Sequence, residues 1–223
     1  MLYLSIPSLL GYGMKKENID LIFQRFFENK PHPRIELDYY SPYTLLIAVV
    51  LSAQSTDKGV NRVTPTLFEA ADTPVAMVAL GEDQLKQYIK TIGLYNNKAK
   101  NIIAMSKALL EKFAGEVPDN LNDLKSLPGV GSKSAKVMLN CIWGHKVIAV
   151  DTHIFRVANR MGLCRTTNPL KTEIELERVI PKKWQDHAHH WLVLHGRYVC
   201  KARKPVCARC IVNDLCCYKD KNL

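Results

Sequence analysis

The chain of 223 residues has no apolar run long enough to cross a membrane. Its longest strongly apolar stretch, residues 45–51, is far shorter than the roughly 18 to 20 residues that a membrane-spanning helix needs. The sequence also lacks internal repeats and low-complexity segments, and its 47% hydrophobic and 23% charged residues are typical of a globular protein. These absences exclude a membrane-spanning protein, a collagen-like fibre and a disordered chain.

The N-terminus also lacks the pattern of a secretory signal peptide. Residues 1–13 are apolar, but they have no basic start and no clear small-residue cleavage site, and Lys15 and Lys16 follow Met14. We therefore expect residues 1–13 to be an extension outside the folded unit, and we expect a cytoplasmic protein.

Acidic residues are scarce relative to basic ones. The 21 Asp and Glu against 31 Lys and Arg give a formal net charge of +10. An excess of this size favours an anionic partner, such as a nucleic acid or a membrane surface, although general solubility is an alternative explanation.

Cysteine is rare outside the C-terminal region. Cys141 and Cys164 lie in apolar patterns typical of buried thiols, and the odd, clustered total argues against a secreted disulfide framework. Four others fit the spacing C-x6-C-x2-C-x5-C: Cys200, Cys207, Cys210 and Cys216. Because the loops between them are short, four thiolates can bind one zinc ion or one [4Fe–4S] cluster, and the spacing does not choose between these centres. Free or paired thiols are the remaining alternative.

Apolar residues recur at helical spacing along most of the chain, and strand patterns are nearly absent. The segment that follows Ser41 is apolar almost all round, which predicts a buried helix with Ser41 as its N-cap. Two helices are predicted around the short loop at residues 127–131. Gly93 and Gly115 are expected to end helices as C-cap glycines. The sequence therefore predicts an all-α protein.

The loop at residues 127–131 is a candidate phosphate site. Gly129 and Gly131 allow a sharp turn with positive φ, so that N–H groups of the loop and of the next helix face outward. Lys133 lies in the first turn of that helix, where the helix dipole and partial burial would favour a neutral, nucleophilic amine able to form a Schiff base. An ordinary helix–helix turn and a phosphate-binding lysine are the alternatives.

A carboxylate and a basic segment lie further along the chain. Asp151 precedes a predicted helix, so it is a candidate N-cap and a candidate carboxylate that stabilises a cationic sugar or moves protons. From Arg197 to Cys210 every charged side chain is basic. A basic loop held by a metal centre suits contact with phosphate groups, and a solvated basic face is the alternative.

Five motifs, in this order, resemble the endonuclease III family of helix–hairpin–helix DNA glycosylases over about residues 14–219. They are L-L-I-A-V-V-L-S-A-Q-S-T-D, T-I-G-L-Y-N-N-K-A, L-P-G-V-G-S-K-S-A, V-D-T-H-I-F-R-V-A-N-R and H-G-R-Y-x-C-x6-C-x2-C-x5-C. The resemblance implies an all-α fold of two helical domains with a DNA cleft between them. One is a six-helix barrel at about 35–145, with the hairpin at about 121–143, and the other joins 14–34 to 146–223 and carries a [4Fe–4S] cluster on the four cysteines.

The resemblance also implies a bifunctional DNA glycosylase and AP lyase that excises oxidised pyrimidines and nicks the strand 3′ to the abasic site by β-elimination. Lys133 matches the nucleophile of the family and Asp151 its carboxylate. Ser132 departs from the basic residue often found before the nucleophile, which weakens a phosphate contact there. The remaining matches are Gln54 and Leu94, which fill the gap left by a flipped base, Asp57 in the lesion pocket, and Gly129, Val130, Gly131, Arg197 and Lys204 at the DNA.

Two alternatives remain beside this interpretation. A mismatch glycosylase of the same fold is the nearest, although the adenine-specific type typically lacks a lysine at position 133 and has a further C-terminal domain. A non-catalytic DNA-binding module is the alternative from a different class, and the combination of Lys133 with Asp151 argues against it. The expected partner is double-stranded DNA with damaged pyrimidines or abasic sites. We expect the protein to act as a monomer, at the nucleoid if it is bacterial, and not at a membrane.

Overall fold

The computed structural model describes residues 14–223, and within this range every regular element is a helix, as the sequence predicts. The expected extension at residues 1–13 lies outside the described residues. The α-helices are α1 (Lys16–Asn29), α2 (Pro42–Ser52), α3 (Asp57–Ala70), α4 (Pro74–Ile89), α5 (Tyr95–Phe113), α6 (Leu121–Ser126), α7 (Ser132–Trp143), α8 (Thr152–Met161), α9 (Pro169–Val179) and α10 (Gln185–Tyr198).

The chain divides into two compact units. One is the continuous stretch Arg34–Ala149, which contains α2 to α7. The other joins the segment that ends at Pro33 to Val150–Leu223, and it contains α1 and α8 to α10. None of the helices described combines the length and the apolar character that crossing a bilayer requires.

Helix α2 forms the centre of the Arg34–Ala149 core. Ser41 is its N-cap, with Oγ accepting a hydrogen bond from the Thr44 N–H at 3.1 Å, and Pro42 occupies the first helical position, as predicted. Every residue from Tyr43 to Leu51 is buried, and α3, α5 and α7 pack against this helix. Since burying one Leu or Ile side chain contributes about 1.5–3 kcal/mol, the burial of α2 stabilises the helix that leads into the loop after Ser52.

The prediction of a C-cap glycine is wrong for one of the two positions. Helix α4 ends with Lys90 as its C-cap, so Gly93 lies beyond the helix, and its φ is not positive. The left-handed residue in this region is Leu94, the N-cap of α5, with φ 59°. Gly115 does help to end α5, because its N–H donates to the carbonyl oxygen of Leu109 at 2.9 Å.

Aromatic rings join α1 to α10 in the second unit. Phe23 and Phe26 are buried, and their ring centroids lie 6.2 Å and 6.5 Å from that of Trp191. The Trp191 Nε1–H donates to the carbonyl oxygen of Lys30 at 2.8 Å, just after the end of α1. The N-terminal helix is therefore part of the core built by the C-terminal region.

Candidate functional site

Helices α6 and α7 form the predicted hairpin. The Val130 N–H donates to the carbonyl oxygen of Leu127 at 3.1 Å, which closes the turn between them. Gly129 has φ 81°, and a Cβ built on it would lie 3.0 Å from the Cβ of Asn101. Gly131 has φ −86°, so the predicted positive φ is found at Gly129 and not at Gly131. The backbone conformation therefore requires a glycine at position 129 but not at position 131.

The N-terminus of α7 is open to an approaching anion. Gly131 is its N-cap, makes no side-chain cap, and has no atom within 4 Å of a Cβ built on it. The first N–H groups of an α-helix have no partner within the helix, and they carry the positive end of its dipole. Val130 is only 6% exposed, so the exposed parts of this loop are Gly129 and Gly131. This arrangement suits a phosphate group.

Lys133 is exposed, so the expected partial burial is wrong. The buried residues of α7 begin only at Ala135, whereas Ser132 and Lys133 in its first turn are exposed. Lys133 therefore lies ahead of the part of the helix that packs into the core.

Asp151 is half-buried and is the N-cap of α8, as predicted. Its Oδ1 atom accepts a hydrogen bond from the Ile154 N–H at 2.8 Å. This bond fixes the orientation of the carboxylate at the start of the helix. Asp151 belongs to the Val150–Leu223 part of the second unit, whereas Lys133 belongs to the Arg34–Ala149 unit.

The structure brings Gln54 and Leu94 together. Both have left-handed backbones, with φ of 55° and 59°, and both are exposed. Between them, a Cβ built on Gly93 would lie 3.5 Å from the carbonyl oxygen of Gln54. A left-handed conformation costs a residue other than glycine about 1–3 kcal/mol, and such strain is concentrated at functional sites. Asp57, the residue expected in the lesion pocket, is half-buried at the start of α3, three residues after Gln54.

The four cysteines of the predicted cluster motif line one small cavity in the second unit. Burial raises the pKa of the Cys210 and Cys216 thiols, and the neighbouring cysteines raise it further because thiolates repel one another. A cationic centre would remove that repulsion, so the donor set fits a metal cofactor.

Four cysteines around one cavity suit either a tetrahedral zinc ion or an iron–sulfur cube, because both centres accept four thiolates. The choice between the two centres comes from the comparisons with known proteins given below.

The two thiols outside the C-terminal region play no part in this cavity. Cys141 in α7 is half-buried against the core, and this burial raises the pKa of its thiol to about 12. Cys164 is buried, although it lies in the loop after α8 and not in a helix. Neither residue lines the cavity, so neither competes with the four cysteines as a ligand.

Two arginines of α8 hold the start of the cysteine motif, and neither is among the residues predicted from the sequence. Arg160 donates to the carbonyl oxygens of Lys201 at 2.7 Å and Ala202 at 3.0 Å, and its NH1 lies 3.8 Å from Cys200 Sγ. Arg156 donates through Nε to the Cys200 carbonyl oxygen at 3.0 Å. The available signal was their spacing of four residues, which places both on one face of α8.

The segment between the first two cysteines presents basic side chains. Lys201, Arg203 and Lys204 are all exposed, and Lys204 has a left-handed backbone with φ 49°. Arg197 is half-buried in the last turn of α10. A short loop with three exposed cations suits phosphate contact.

Two family models match the chain. The model described as "HhH-GPD superfamily base excision DNA repair protein" matches residues 47–182. The model described as "Iron-sulfur binding domain of endonuclease III" matches residues 200–216, which begin at Cys200 and end at Cys216. The second match agrees with the cavity geometry, and the chain binds a [4Fe–4S] cluster.

Relatives match over nearly the whole length. Endonuclease III of Haemophilus influenzae is 56% identical over 90% of this chain and 95% of that protein, and endonuclease III of Escherichia coli K12 is 54% identical over the same shares. A solved structure of a trapped endonuclease III–DNA covalent intermediate superimposes with a TM-score of 0.84 at 43% identity, over 91% of this chain and 96% of that chain. The chain therefore belongs to the endonuclease III family of helix–hairpin–helix base excision repair enzymes.

Proposed function

We propose that this protein excises oxidised pyrimidines from double-stranded DNA and then nicks the strand 3′ to the abasic site, with Lys133 as the nucleophile. Membership of the endonuclease III family makes the protein a DNA glycosylase and AP lyase. The observation that carries the residue assignment is the exposed Lys133 amine in the first turn of α7, next to the open helix N-terminus at Gly131. A phosphate held there would bring a neighbouring sugar within reach of the amine.

The proposed reaction exchanges one bond at the sugar for another. The Lys133 amine attacks C1′, the C1′–N bond breaks, and the electron pair of that bond leaves with the base, which takes up a proton. The lysine nitrogen loses a proton, and the C1′–O4′ bond opens to give a protonated Schiff base while O4′ keeps the electron pair of that bond and takes up a proton. This iminium acidifies the C2′ protons, so loss of one expels the 3′ phosphate and nicks the strand. Water then hydrolyses the imine and frees Lys133.

Asp151 is assigned to stabilising the positive charge that develops on the sugar and to assisting proton transfer. Its hydrogen bond to the N–H of Ile154 supports this role, because a carboxylate already oriented by a helix start needs no reorganisation during the reaction.

Base extrusion is assigned to the two loops that carry Gln54 and Leu94. An oxidised pyrimidine is poorly stacked, so rotating it out of the duplex costs less than for a normal base. Gln54 and Leu94 would fill the gap that it leaves, and Asp57 would face the extruded base. The side-by-side placement of the first two residues supports their joint role.

The cluster is assigned a structural role, holding the basic loop for phosphate contact through Arg197 and Lys204. Its proposed ligands are the four cysteines Cys200, Cys207, Cys210 and Cys216. We further propose that residues 35–145 form the barrel domain, that 14–34 with 146–223 form the cluster domain, and that the protein acts as a cytoplasmic monomer at the nucleoid. Light scattering of the purified protein would test the monomer, and a mass of twice 25.3 kDa would contradict it.

Borohydride trapping on a duplex with one oxidised pyrimidine tests the nucleophile. The protein and the control variant Lys136→Ala, which removes another lysine of α7, should each form a covalent DNA adduct. Lys133→Ala should bind the duplex without forming an adduct or nicking it.

Other results contradict the proposal in different ways. An adduct with Lys133→Ala would assign the nucleophile to another amine. Base release without any adduct would indicate a glycosylase that uses water. Binding without base release would indicate a different lesion or a non-catalytic module.

A further inference from the structure

A buried lysine connects the two loops that carry Gln54 and Leu94. Lys98 lies in the first turns of α5 and is only 5% exposed, and its backbone N–H donates to the carbonyl oxygen of Leu94 at 3.1 Å. Its Nζ atom donates three hydrogen bonds, to Leu51 O at 2.8 Å, Ala53 O at 2.6 Å and Ser55 Oγ at 3.1 Å. One side chain thus holds the end of α2 while its own backbone holds the start of α5.

The three acceptors match the three donors of an ammonium group. Burial lowers the pKa of Lys98, and a neutral amine would keep all three bonds only if the Ser55 hydroxyl donated to its lone pair. The carbonyls of Leu51 and Ala53 lie at the C-terminal end of α2, where the helix dipole is negative and attracts a cation. We infer that Lys98 is charged. Since burying a charge is costly unless it is well paired, this lysine is more than a space-filling residue.

The hydrogen bonds of Lys98 are made next to the two residues with left-handed backbones, Gln54 and Leu94. Ala53 and Ser55 are the neighbours of Gln54 on either side, and both accept a hydrogen bond from Lys98. Leu94, the other left-handed residue, is the N-cap of the helix on which Lys98 lies. A loop free to relax would leave such backbone conformations, so the surrounding contacts must hold them.

We propose that Lys98 is a positioning residue for base extrusion, which holds Gln54 and Leu94 in a fixed relative geometry before DNA binds. This inference rests on the function proposed above for those two side chains. Groups that are already ordered lose less conformational entropy on binding. Loss of Lys98 should therefore weaken recognition of a gapped or extruded site, while leaving phosphate contacts to an undamaged duplex in place.

The test compares Lys98→Met, which keeps the length of the side chain but removes its charge and donors, with Lys98→Arg, which keeps the charge. Lys100→Met is the matched control, because Lys100 is exposed on the same helix. The probe is a duplex with a tetrahydrofuran abasic analogue opposite 2-aminopurine, whose fluorescence rises when the base unstacks.

We expect Lys98→Met to bind the abasic duplex about tenfold more weakly, with a reduced fluorescence rise, because two loops must then be ordered during binding. Its affinity for the undamaged duplex should stay within about twofold. Lys98→Arg should recover part of the fluorescence rise, and Lys100→Met should match the unmodified protein. An equal loss of affinity for both duplexes would overturn the proposal, because it would make Lys98 a general structural or phosphate-binding residue.

Three further variants keep the inference testable and separate it from the proposed function. Ser55→Ala removes one acceptor of Lys98. It should show a smaller but equally selective loss of affinity for the abasic duplex, and this can be measured even if Lys98→Met fails to fold. No change in Ser55→Ala together with an unfolded Lys98→Met would count against a positioning role. If Gln54→Ala and Leu94→Ala leave the fluorescence rise intact, the proposed role of the loops fails. If those two abolish it and Lys98→Met does not, only the inference about Lys98 fails.

Discussion

The two glycines of the hairpin should respond differently to substitution. Gly129 has φ 81°, and an alanine there would also bring its Cβ to 3.0 Å from the Cβ of Asn101. Gly131 has φ −86° in an extended N-cap conformation with open space around it. The two positions look alike in the motif but differ in backbone and surroundings.

The left-handed backbone alone costs alanine about 1–2 kcal/mol. The contact with Asn101 adds to this, since α5 must shift by a few tenths of an ångström or the loop must open. We therefore expect Gly129→Ala to lower the free energy of unfolding by about 2 kcal/mol, which corresponds to a fall in Tm of about 4–8 °C for a chain of this size. Gly131→Ser should lose nothing and gain up to about 0.5 kcal/mol, because serine is a preferred N-cap residue.

Thermal unfolding followed by circular dichroism measures this difference on the cluster-loaded protein. Duplex binding adds an independent measurement, because the serine side chain at position 131 would stand where a phosphate is proposed to approach. Gly131→Ser should thus keep its Tm and bind DNA more weakly. Equal Tm values for Gly129→Ala and Gly131→Ser would refute the assignment of the turn to Gly129.

Three other perturbations have defined outcomes. Arg160→Met removes two hydrogen bonds to the cysteine loop and should speed the loss of visible cluster absorbance in air, with Arg160→Lys intermediate; an unchanged decay would show that Arg160 does not protect the cluster. Cys216→Ser should lose the cluster, measured as iron and sulfide, while Cys217→Ser keeps it; loss in both would question the ligand set. Burial and the nearby His187 lower the pKa of His190 from 6.5 to about 4, so the unfolded chain takes up its proton first as the pH falls. The free energy of unfolding that neutral His190 contributes is therefore retained above pH 6.5 and lost as the pH falls from there towards pH 4. Urea unfolding should show that the free energy of unfolding of His190→Leu falls less steeply over this range. An identical slope in both proteins would assign the loss to other groups.

The sequence was sufficient where the signals are local. Ser41 followed by Pro42, ahead of an apolar segment, predicts both the start of α2 and its burial, because capping and hydrophobic burial act on adjacent residues. The N-cap role of Asp151 was predictable for the same reason, since the acceptor and its partner N–H are three residues apart.

Local rules failed where distant residues decide the conformation. Gly93 was expected to end a helix as its C-cap, yet the left-handed residue is Leu94, next to a loop held by the bonds of Lys98 to the end of α2. The expected burial of Lys133 was wrong because it depends on where along α7 the packing with the core begins. Arg160 was overlooked because its partners follow about 40 positions later in the chain.

The metal centre shows a third limit. The spacing of the cysteines identifies four candidate ligands but is compatible with zinc or with an iron–sulfur cluster, because both accept four thiolates. The choice depends on how far apart the sulfurs lie and on relatedness, and neither quantity is contained in the spacing.

The division of the chain has a consequence for its synthesis. Residues Arg34–Ala149 are continuous and can fold as soon as they leave the ribosome, whereas α1 belongs to a core completed by α10. Trp191 emerges about 170 residues after Phe23, which at about 5–20 residues per second is a delay of roughly 8–30 s. During this interval the apolar face of α1 lacks α10, the helix against which it packs in the finished protein. The Arg34–Ala149 unit would therefore fold first. The cluster could be bound only after the last of the four predicted ligands, Cys216, has been synthesised.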